Sequence, residues 1–138
     1  KEFDLSGKPI LGICLGMQLL SFTGTEPSLV EGLKIIKGEV TIFPNNIGLR
    51  IPHVGWNGIS VINEHPILED VKITADFYFV HSYYFGQIKS QNIIANTNYG
   101  IDFPSIISND SKNVIGIQFH PEKSQKQGLK ILENFSKL

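Results

Sequence analysis

The feature that most constrains this 138-residue chain is the pentapeptide Gly12-Ile13-Cys14-Leu15-Gly16, at the junction of a predicted strand and a predicted helix. Residues 8–13 form a short apolar run typical of a buried strand, and residues 15–22 favour a short buried helix that ends near Gly24. A cysteine between two glycines at such a junction occupies a sharp, strained turn, and the N–H groups of the following helix favour its thiolate. Cys14 is therefore a candidate nucleophile; the alternative is a buried structural cysteine.

Composition and charge indicate one globular domain over residues 1–138 and exclude several classes of partner. Hydrophobic residues make up 41% and charged residues 18% of the chain, which argues against disorder. The 12 basic and 13 acidic residues give a net charge of -1, which excludes a strongly basic surface for nucleic acid or anionic membrane. The longest apolar run, residues 9–17, is too short to span a bilayer. Cys14 is the only cysteine, which excludes an internal disulfide and favours a reducing, cytoplasmic setting.

The middle of the chain, from about residue 32 to residue 100, is predicted to be rich in β-structure. Short β-prone runs alternate there with turn residues, and these runs are residues 39–43, 58–62, 76–81 and 92–96. Residues 114–119 form another apolar run. Ser124 with Gln127 then matches a capping box for a final helix, in which Leu129, Leu132 and Phe135 recur at helical spacing and face the core. Strand–helix units on both sides of a β-rich section predict an α/β layered domain.

A second motif, Gln118-Phe119-His120-Pro121-Glu122, follows the last predicted strand. His120 can act as a base toward a thiol, and Glu122 can hold the imidazole in one tautomer. A lone His-x-Glu is a weak signal, but together with Cys14 it completes a Cys–His–Glu set. Active sites of open α/β sheets lie at the carboxyl ends of strands, and both motifs are predicted there.

The four histidines do not have the spacing of a metal site. His53, His65, His81 and His120 lie far apart in the chain, without close cysteine or aspartate partners. For His53 and His81, local hydrogen bonds are the simpler interpretation, and His65 precedes Pro66 in a predicted loop. No phosphate-binding or dinucleotide-binding fingerprint occurs, so we expect neither a metal nor a nucleotide cofactor.

The motifs around Cys14 and His120 resemble those of the class I glutamine amidotransferases. The matching residues are Gly12-Ile13-Cys14-Leu15-Gly16-Met17-Gln18 and His120-Pro121-Glu122. Further stretches are similar to the glutaminase subunits of imidazole glycerol phosphate synthases, namely Pro52-His53-Val54-Gly55-Trp56-Asn57, residues 77–84, Tyr99-Gly100 and residues 120–124. These stretches follow the family's order over nearly the whole chain. The resemblance implies a three-layer, flavodoxin-like α/β domain with a β-rich middle section.

The resemblance also implies an enzyme that hydrolyses L-glutamine to glutamate and ammonia through a cysteine thioester. Cys14 would be the nucleophile, His120 the general base and then the acid, and Glu122 the residue that orients His120. The backbone N–H of Leu15 would donate to the oxyanion. The residues that match substrate-binding positions are Gln18, Glu26, Ser82 and Tyr83.

The implied partner is a (β/α)8-barrel cyclase subunit, which would receive the ammonia in a heterodimer that serves histidine biosynthesis. Trp56, Tyr78 and Lys123 match positions that face this partner, and two aromatics with a charged anchor would suit an interface. Plainer interpretations stay open: Gln18 as a polar residue on a helix face, Glu26 as a solvated charge, Ser82 and Tyr83 as a strand edge, Trp56 as a core residue and Lys123 as a solvated charge.

Residues 1–7 do not match the amino-terminal part of this family, which contains the first strands of the sheet and a glycine-rich loop that donates the second oxyanion N–H. We therefore expect an N-terminally incomplete amidotransferase domain; loss of one oxyanion donor lowers the rate on the order of a hundredfold. Two other functions stay open. One is a paralogous amidotransferase that feeds another synthase, such as one that aminates a nucleotide sugar, and the other is a non-catalytic domain that kept the fold.

Overall fold

The computed structural model describes residues 7–25 and 29–138. The strands in these residues are β1 (Ile10–Ile13), β2 (Thr23–Gly24), β3 (Val30–Glu31), β4 (Glu39–Ile42), β5 (His53–Gly58), β6 (Ser60–Val61), β7 (Asp76–His81), β8 (Tyr83–Gly86), β9 (Ile93–Asn98), β10 (Asp102–Ser108) and β11 (Val114–Ile117). The α-helices are α1 (Leu15–Gln18) and α2 (Gln125–Ser136), and short 3-10 turns occupy Asn45–Ile47, Pro66–Leu68, Ser90–Asn92 and Pro121–Lys123. The fold is therefore mixed α/β and mostly strand, which confirms the predicted class.

The strands of the described residues form three sheets. The largest sheet has the order β1-β11-β10-β9-β6, in which β1 and β11 are parallel and Ile13 is opposite Ile117. A second sheet has the order β3-β2-β4-β8, and β5 pairs with β7 in a two-stranded antiparallel sheet. The parallel pair matters for function, because it brings the residues that follow β1 and β11 to one edge of the sheet.

Phenylalanine rings from different sheets fill the centre of the core. Phe77 and Phe79 of β7 pack on Phe119 with ring centroids 4.5 and 5.5 Å apart, and Phe79 also packs edge-on against Phe103 at 5.9 Å. All four rings are fully buried. Burial of aromatic rings packed in this way is a large part of the stability of a domain of this size. This cluster holds β7 against the segment that follows β11.

Helix α1 is one turn long, whereas the sequence predicts a helix over residues 15–22. The helix ends early because the backbone carbonyls that follow it accept hydrogen bonds from another segment. Leu33 donates its backbone N–H to Leu19 O, and Lys34 donates to Ser21 O. Carbonyls that would need a continuing helix are thus satisfied by a neighbouring loop, and the chain turns into strand β2.

The buried face of α2 agrees with the prediction at Phe135, which packs against the core, and differs from it at Leu129. Ile131 and Asn134 are buried, while Leu129 is 58% exposed. The amide of Asn134 donates to the carbonyls of Ile67 and Glu69, at 2.9 and 2.8 Å, and this sets the rotation of the helix. The predicted capping box is also wrong: Ser124 makes no side-chain cap bond, because its hydroxyl donates to His120 O and accepts the backbone N–H of Tyr78.

Strands β5, β8 and β10 are not among the predicted runs. β10 contains Pro104, which argues against a central strand, yet β10 lies between β9 and β11. Its register with β9 shifts between Pro104 and Ile106, and this bulge accommodates the missing N–H of the proline. No helix in the described ranges is long and apolar enough to cross a membrane.

Candidate active site

Cys14 occupies a strained backbone conformation directly after β1. Its φ is 55° and its ψ is -108°, a combination that non-glycine residues rarely adopt and that costs on the order of 1–3 kcal/mol. The turn is held on both sides, because Cys14 donates its N–H to Ile117 O at 2.7 Å and Gln18 donates its N–H to Cys14 O at 3.2 Å. The strain is what a nucleophile elbow requires, and the sequence predicts it at this residue.

The two glycines of the pentapeptide have different roles. A Cβ on Gly12 would lie 2.6 Å from the carbonyl oxygen of Gly16, so only glycine lets α1 pack this closely on β1. A Cβ on Gly16 would meet nothing within 4 Å in the described part of the chain. Since α1 is a single turn, its contribution to a thiolate at Cys14 is smaller than a long helix would provide.

Two groups from other strands lie against the Cys14 sulfur. Gln118, which follows β11 and is fully buried, donates its side-chain amide to Sγ at 3.8 Å. The carbonyl oxygen of Val80 in β7 lies 3.9 Å from the same sulfur. The sequence predicts neither contact. Gln118 belongs to the second sequence motif, but its aim at Cys14 depends on the pairing of β1 with β11.

His120 and Glu122 form the predicted pair. Nδ1 of His120 lies 2.9 Å from Oε2 of Glu122, and the carboxylate is the acceptor, so the proton is on Nδ1 and Nε2 is the basic nitrogen. The backbone N–H of His120 donates to Tyr78 O at 2.9 Å. Because Tyr78 and Val80 are two residues apart in β7, the backbone of this strand contacts both Cys14 and the histidine segment within about 7 Å.

Three of the four predicted substrate-binding residues, Gln18, Ser82 and Tyr83, lie in the described part of the chain. Gln18 is buried at the end of α1; its Nε2 donates to Tyr83 O at 3.2 Å and to Oε1 of Gln118 at 3.4 Å. Ser82 lies at the bend between β7 and β8, and its carbonyl accepts the N–H of Phe43. Glu26 lies outside the described residues.

Leu15 is the first residue of α1, so its backbone N–H has no partner inside the helix. A cleft of about 280 Å³ begins at this residue. Gln18, Leu19, Ser21, Val30 and Val40 also contribute to its walls. Its walls thus combine α1 with strands β2, β3 and β4, and neither Cys14 nor His120 lines it.

His53 of β5 and His81 of β7 are opposite each other and form a buried pair. Nδ1 of His53 lies 3.0 Å from Nε2 of His81, and Nδ1 of His81 lies 2.8 Å from Tyr83 O. The pKa of both rings is lowered to about 4, mainly by burial and, for His53, also by the neighbouring His81. Both rings are therefore neutral near pH 7. The local hydrogen bonds predicted for these two histidines are present.

The opposite face of the β5–β7 pair is apolar and exposed. Val54 is opposite Val80 and Trp56 is opposite Tyr78, and the rings of Trp56 and Tyr78 meet edge-on with centroids 5.7 Å apart. Trp56 is 48% exposed and is therefore not the core residue of the alternative interpretation. We call these four residues the β5–β7 face. Lys123, also exposed, lies in the turn after His120.

Within residues 7–25 and 29–138, no three histidine, cysteine, aspartate or glutamate side chains lie close enough to hold a metal ion. His65 caps the 3-10 turn Pro66–Leu68 by accepting the N–H of Ile67 at 3.0 Å. Burial lowers its pKa below the usual value. His65 is remote in sequence from the residues around Cys14. Because it is a buried histidine like His81, a variant of His65 can serve as the control for variants of His81.

The family model described as "Glutamine amidotransferase class-I" matches residues 1–138. Among curated proteins, the chain is 47% identical over 135 residues to the imidazole glycerol phosphate synthase subunit HisH of Methanosarcina barkeri, covering 98% of this chain and 66% of that protein. It is 51% identical over 127 residues to the protein of the same name from Archaeoglobus fulgidus, covering 92% and 62%. The chain therefore spans slightly less than two thirds of the length of these relatives.

Solved structures agree on the fold. The structure of PurLQS from Thermotoga maritima matches with a TM-score of 0.71 and 19% identity, over 99% of this chain and 64% of that one. A glutamine amidotransferase from the same organism matches with a TM-score of 0.64 and 17% identity, over 99% and 50%.

Proposed function

The chain belongs to the class I glutamine amidotransferase family, and from this we propose that it hydrolyses L-glutamine to glutamate and ammonia as the glutaminase subunit of an imidazole glycerol phosphate synthase. One observation carries the chemistry: the strained cysteine after β1 and the His120–Glu122 pair after β11 follow adjacent parallel strands. The choice of synthase is supported by relatives named HisH, which are 47% and 51% identical to this chain.

In the proposed reaction, Cys14 Sγ attacks the side-chain amide carbon of glutamine. The thiol proton passes to Nε2 of His120 and then to the departing nitrogen, so that ammonia leaves and a glutamyl thioester remains. His120 next takes a proton from water, which attacks the thioester; glutamate leaves and the thiol is restored. Glu122 keeps Nδ1 protonated and thus Nε2 available in both steps.

The oxyanion that forms in each step needs hydrogen-bond donors. The backbone N–H of Leu15 supports this role, since it directly follows the nucleophile and begins α1. Gln18 has its Nε2 bound to Tyr83 O and to Gln118, which leaves its Oε1 to accept from the substrate. We assign Ser82, Tyr83 and Glu26 to substrate binding on the family resemblance.

Ammonia would pass to a (β/α)8-barrel cyclase subunit in histidine biosynthesis, and the β5–β7 face with Lys123 is the proposed contact surface. Trp56 and Tyr78 are typical anchor residues of interfaces. Two residues of the face, Tyr78 and Val80, belong to β7, and their carbonyls contact His120 and Cys14, which supports activation by the partner. We place the reaction in the cytoplasm, where Cys14 stays reduced.

A labelling experiment tests the chemistry. A glutamine analogue with a diazoketone in place of the amide should add to Cys14 only, as detected by peptide mass spectrometry, and L-glutamine should slow the reaction. Cys14→Ala should not be labelled. Labelling that L-glutamine does not slow, or that occurs at another residue, would contradict the proposal.

The interface is tested by affinity. Trp56→Ala should weaken binding of the barrel subunit by about thirtyfold or more, in the range of an interface anchor. Leu129→Ala is the matched control, because Leu129 is similarly exposed, at 58%, and lies on α2. Equal affinity of the Trp56 variant and the wild type would reject this face.

A further inference from the structure

A directional chain of hydrogen bonds runs through the buried histidines to the backbone beside the site. Asn57 Nδ2 lies 3.3 Å from Nε2 of His53 and donates to Asn98 O at 2.9 Å. His53 Nδ1 lies 3.0 Å from His81 Nε2, and His81 Nδ1 lies 2.8 Å from Tyr83 O. Every ring nitrogen of the two histidines therefore has a partner.

The acceptor at the end of this chain of hydrogen bonds fixes the direction of every bond before it. The backbone carbonyl of Tyr83 can only accept, so Nδ1 of His81 carries the proton. A neutral imidazole has one N–H, which makes Nε2 of His81 an acceptor and Nδ1 of His53 the donor to it. By the same reasoning Nε2 of His53 accepts from Asn57. Both rings are thus held as the Nδ1–H tautomer.

The environment of the pair keeps it neutral. His53 stacks between Phe79 and Tyr99, with centroid distances of 4.8 and 3.9 Å, and His81 packs against Phe43 and Phe103 at 5.2 and 5.1 Å. The two histidines are 2% and 6% exposed. In such surroundings an unpaired polar group is costly, so each ring is fixed by its hydrogen bonds.

The chain ends where the substrate-binding residues begin. The Tyr83 carbonyl accepts two bonds, from His81 Nδ1 and from Gln18 Nε2. Gln18 also donates to Gln118, and Gln118 donates to the Cys14 sulfur. The Tyr83 carbonyl is therefore the shared acceptor that joins the histidine pair to the residues around the nucleophile.

We propose that His81, fixed by His53 and Asn57, is a positioning residue that holds the Tyr83 carbonyl, and through it Gln18, in the geometry that binds glutamine. This inference rests on the proposed function and adds a residue to it. His81 acts through Tyr83 and does not touch the substrate. Loss of its Nδ1 donor releases the carbonyl from one of two restraints, and the affinity for glutamine falls while the Cys14 chemistry is retained.

Steady-state kinetics of the full-length protein with its barrel partner test this role. His81→Phe keeps a ring but no donor, and should raise KM for glutamine about tenfold with kcat within about threefold of wild type. His81→Asn keeps a nitrogen donor near the position of Nδ1 and should restore most of the affinity. His65→Asn alters another buried histidine, which is 8% exposed, and should leave KM unchanged.

A KM for His81→Phe within twofold of wild type, or a failure of His81→Asn to improve on it, would overturn the proposal. The concentration of glutamine that half-protects Cys14 from iodoacetamide gives the same comparison without turnover. If the wild-type protein bound glutamine but released no glutamate, the proposed function would fail while this comparison still decided the role of His81.

Nitrogen NMR of the wild-type protein provides a test that needs no variant. Proton–nitrogen correlation spectra of the imidazoles should show a protonated Nδ1 and a bare Nε2 on both His53 and His81. A proton on Nε2 of His81 is incompatible with its bond to the Tyr83 carbonyl and would overturn the proposal.

Discussion

His120 donates its Nδ1 proton to Oε2 of Glu122 across 2.9 Å, and this bond leaves Nε2 as the basic nitrogen of the site. The pair is partly open to water, since the side chain of Glu122 is 46% exposed and that of His120 is 20% exposed. Solvent therefore weakens the interaction, and Glu122 contributes orientation rather than a large electrostatic effect.

Glu122→Gln tests this orientation. The amide keeps the shape of the carboxyl but can donate to Nδ1, which permits the wrong tautomer. We expect kcat for glutamate release to fall about tenfold, with little change in KM. Lys126→Gln changes an exposed lysine of α2 and is the control for kcat. An unchanged kcat in Glu122→Gln would mean that water or another group orients His120.

The glycines on either side of Cys14 should differ in their tolerance of a methyl group. Gly12→Ala forces a Cβ to 2.6 Å from the Gly16 carbonyl, so the free energy of unfolding should fall by about 1–3 kcal/mol. Gly16→Ala meets open space on a helix and should be neutral or stabilising by up to about 1 kcal/mol. Urea unfolding measures both, and equal effects would contradict the packing of α1 on β1.

Because the backbone at Cys14 is strained, we expect glycine at this position to give a more stable protein than alanine does. With φ at 55°, Cys14→Gly should raise the free energy of unfolding by about 1 kcal/mol relative to Cys14→Ala, although both variants lack the nucleophile. The comparison uses two inactive proteins, so loss of activity does not affect it. If Cys14→Ala were as stable as Cys14→Gly, the elbow would not be strained.

The buried histidines predict loss of stability in mild acid. In the native protein the pKa of His53 and of His81 is about 4, whereas in the unfolded chain it is about 6.5. Between these values the unfolded state binds more protons, so the free energy of unfolding decreases as pH falls, by about 2 kcal/mol for each ring between pH 7 and 5.

Denaturant titrations from pH 7 to pH 5 measure this slope. The double variant His53→Gln, His81→Asn should lose most of it. His65→Asn should lose less, because burial lowers the pKa of only one ring there. A wild-type stability that is flat across this range would show that the pair does not stay neutral.

The parts of the site that are local in sequence could be predicted, and the parts that depend on strand register could not. The elbow at Cys14 and the pairing of His120 with Glu122 each lie within a few residues of chain, where turn geometry and spacing suffice. Gln118 reaches Cys14 only because β1 is parallel to β11, and Val80 does so only because β7 crosses beside them. No periodicity indicates either contact.

The differences between the predicted and the observed helices have the same origin. Helix α1 stops after one turn because residues 33–34 bind the carbonyls of Leu19 and Ser21, which lie far from them in the chain. Leu129 has the spacing of a core residue, yet the bonds of Asn134 turn it to solvent. Tertiary hydrogen bonds thus override local pattern in both helices.

The most direct test of the account is glutamate release from L-glutamine by the full-length protein, for wild type and Cys14→Ser, with and without the barrel partner in its nucleotide-bound form. We expect wild-type turnover to rise strongly with the liganded partner and to fall by at least about a thousandfold in Cys14→Ser. Glutamate release that persists in Cys14→Ser would contradict the central role of Cys14. Turnover that does not change when this partner is added would assign the same chemistry to a different synthase. The absence of turnover in every combination would indicate a domain that has the fold but does not catalyse the reaction.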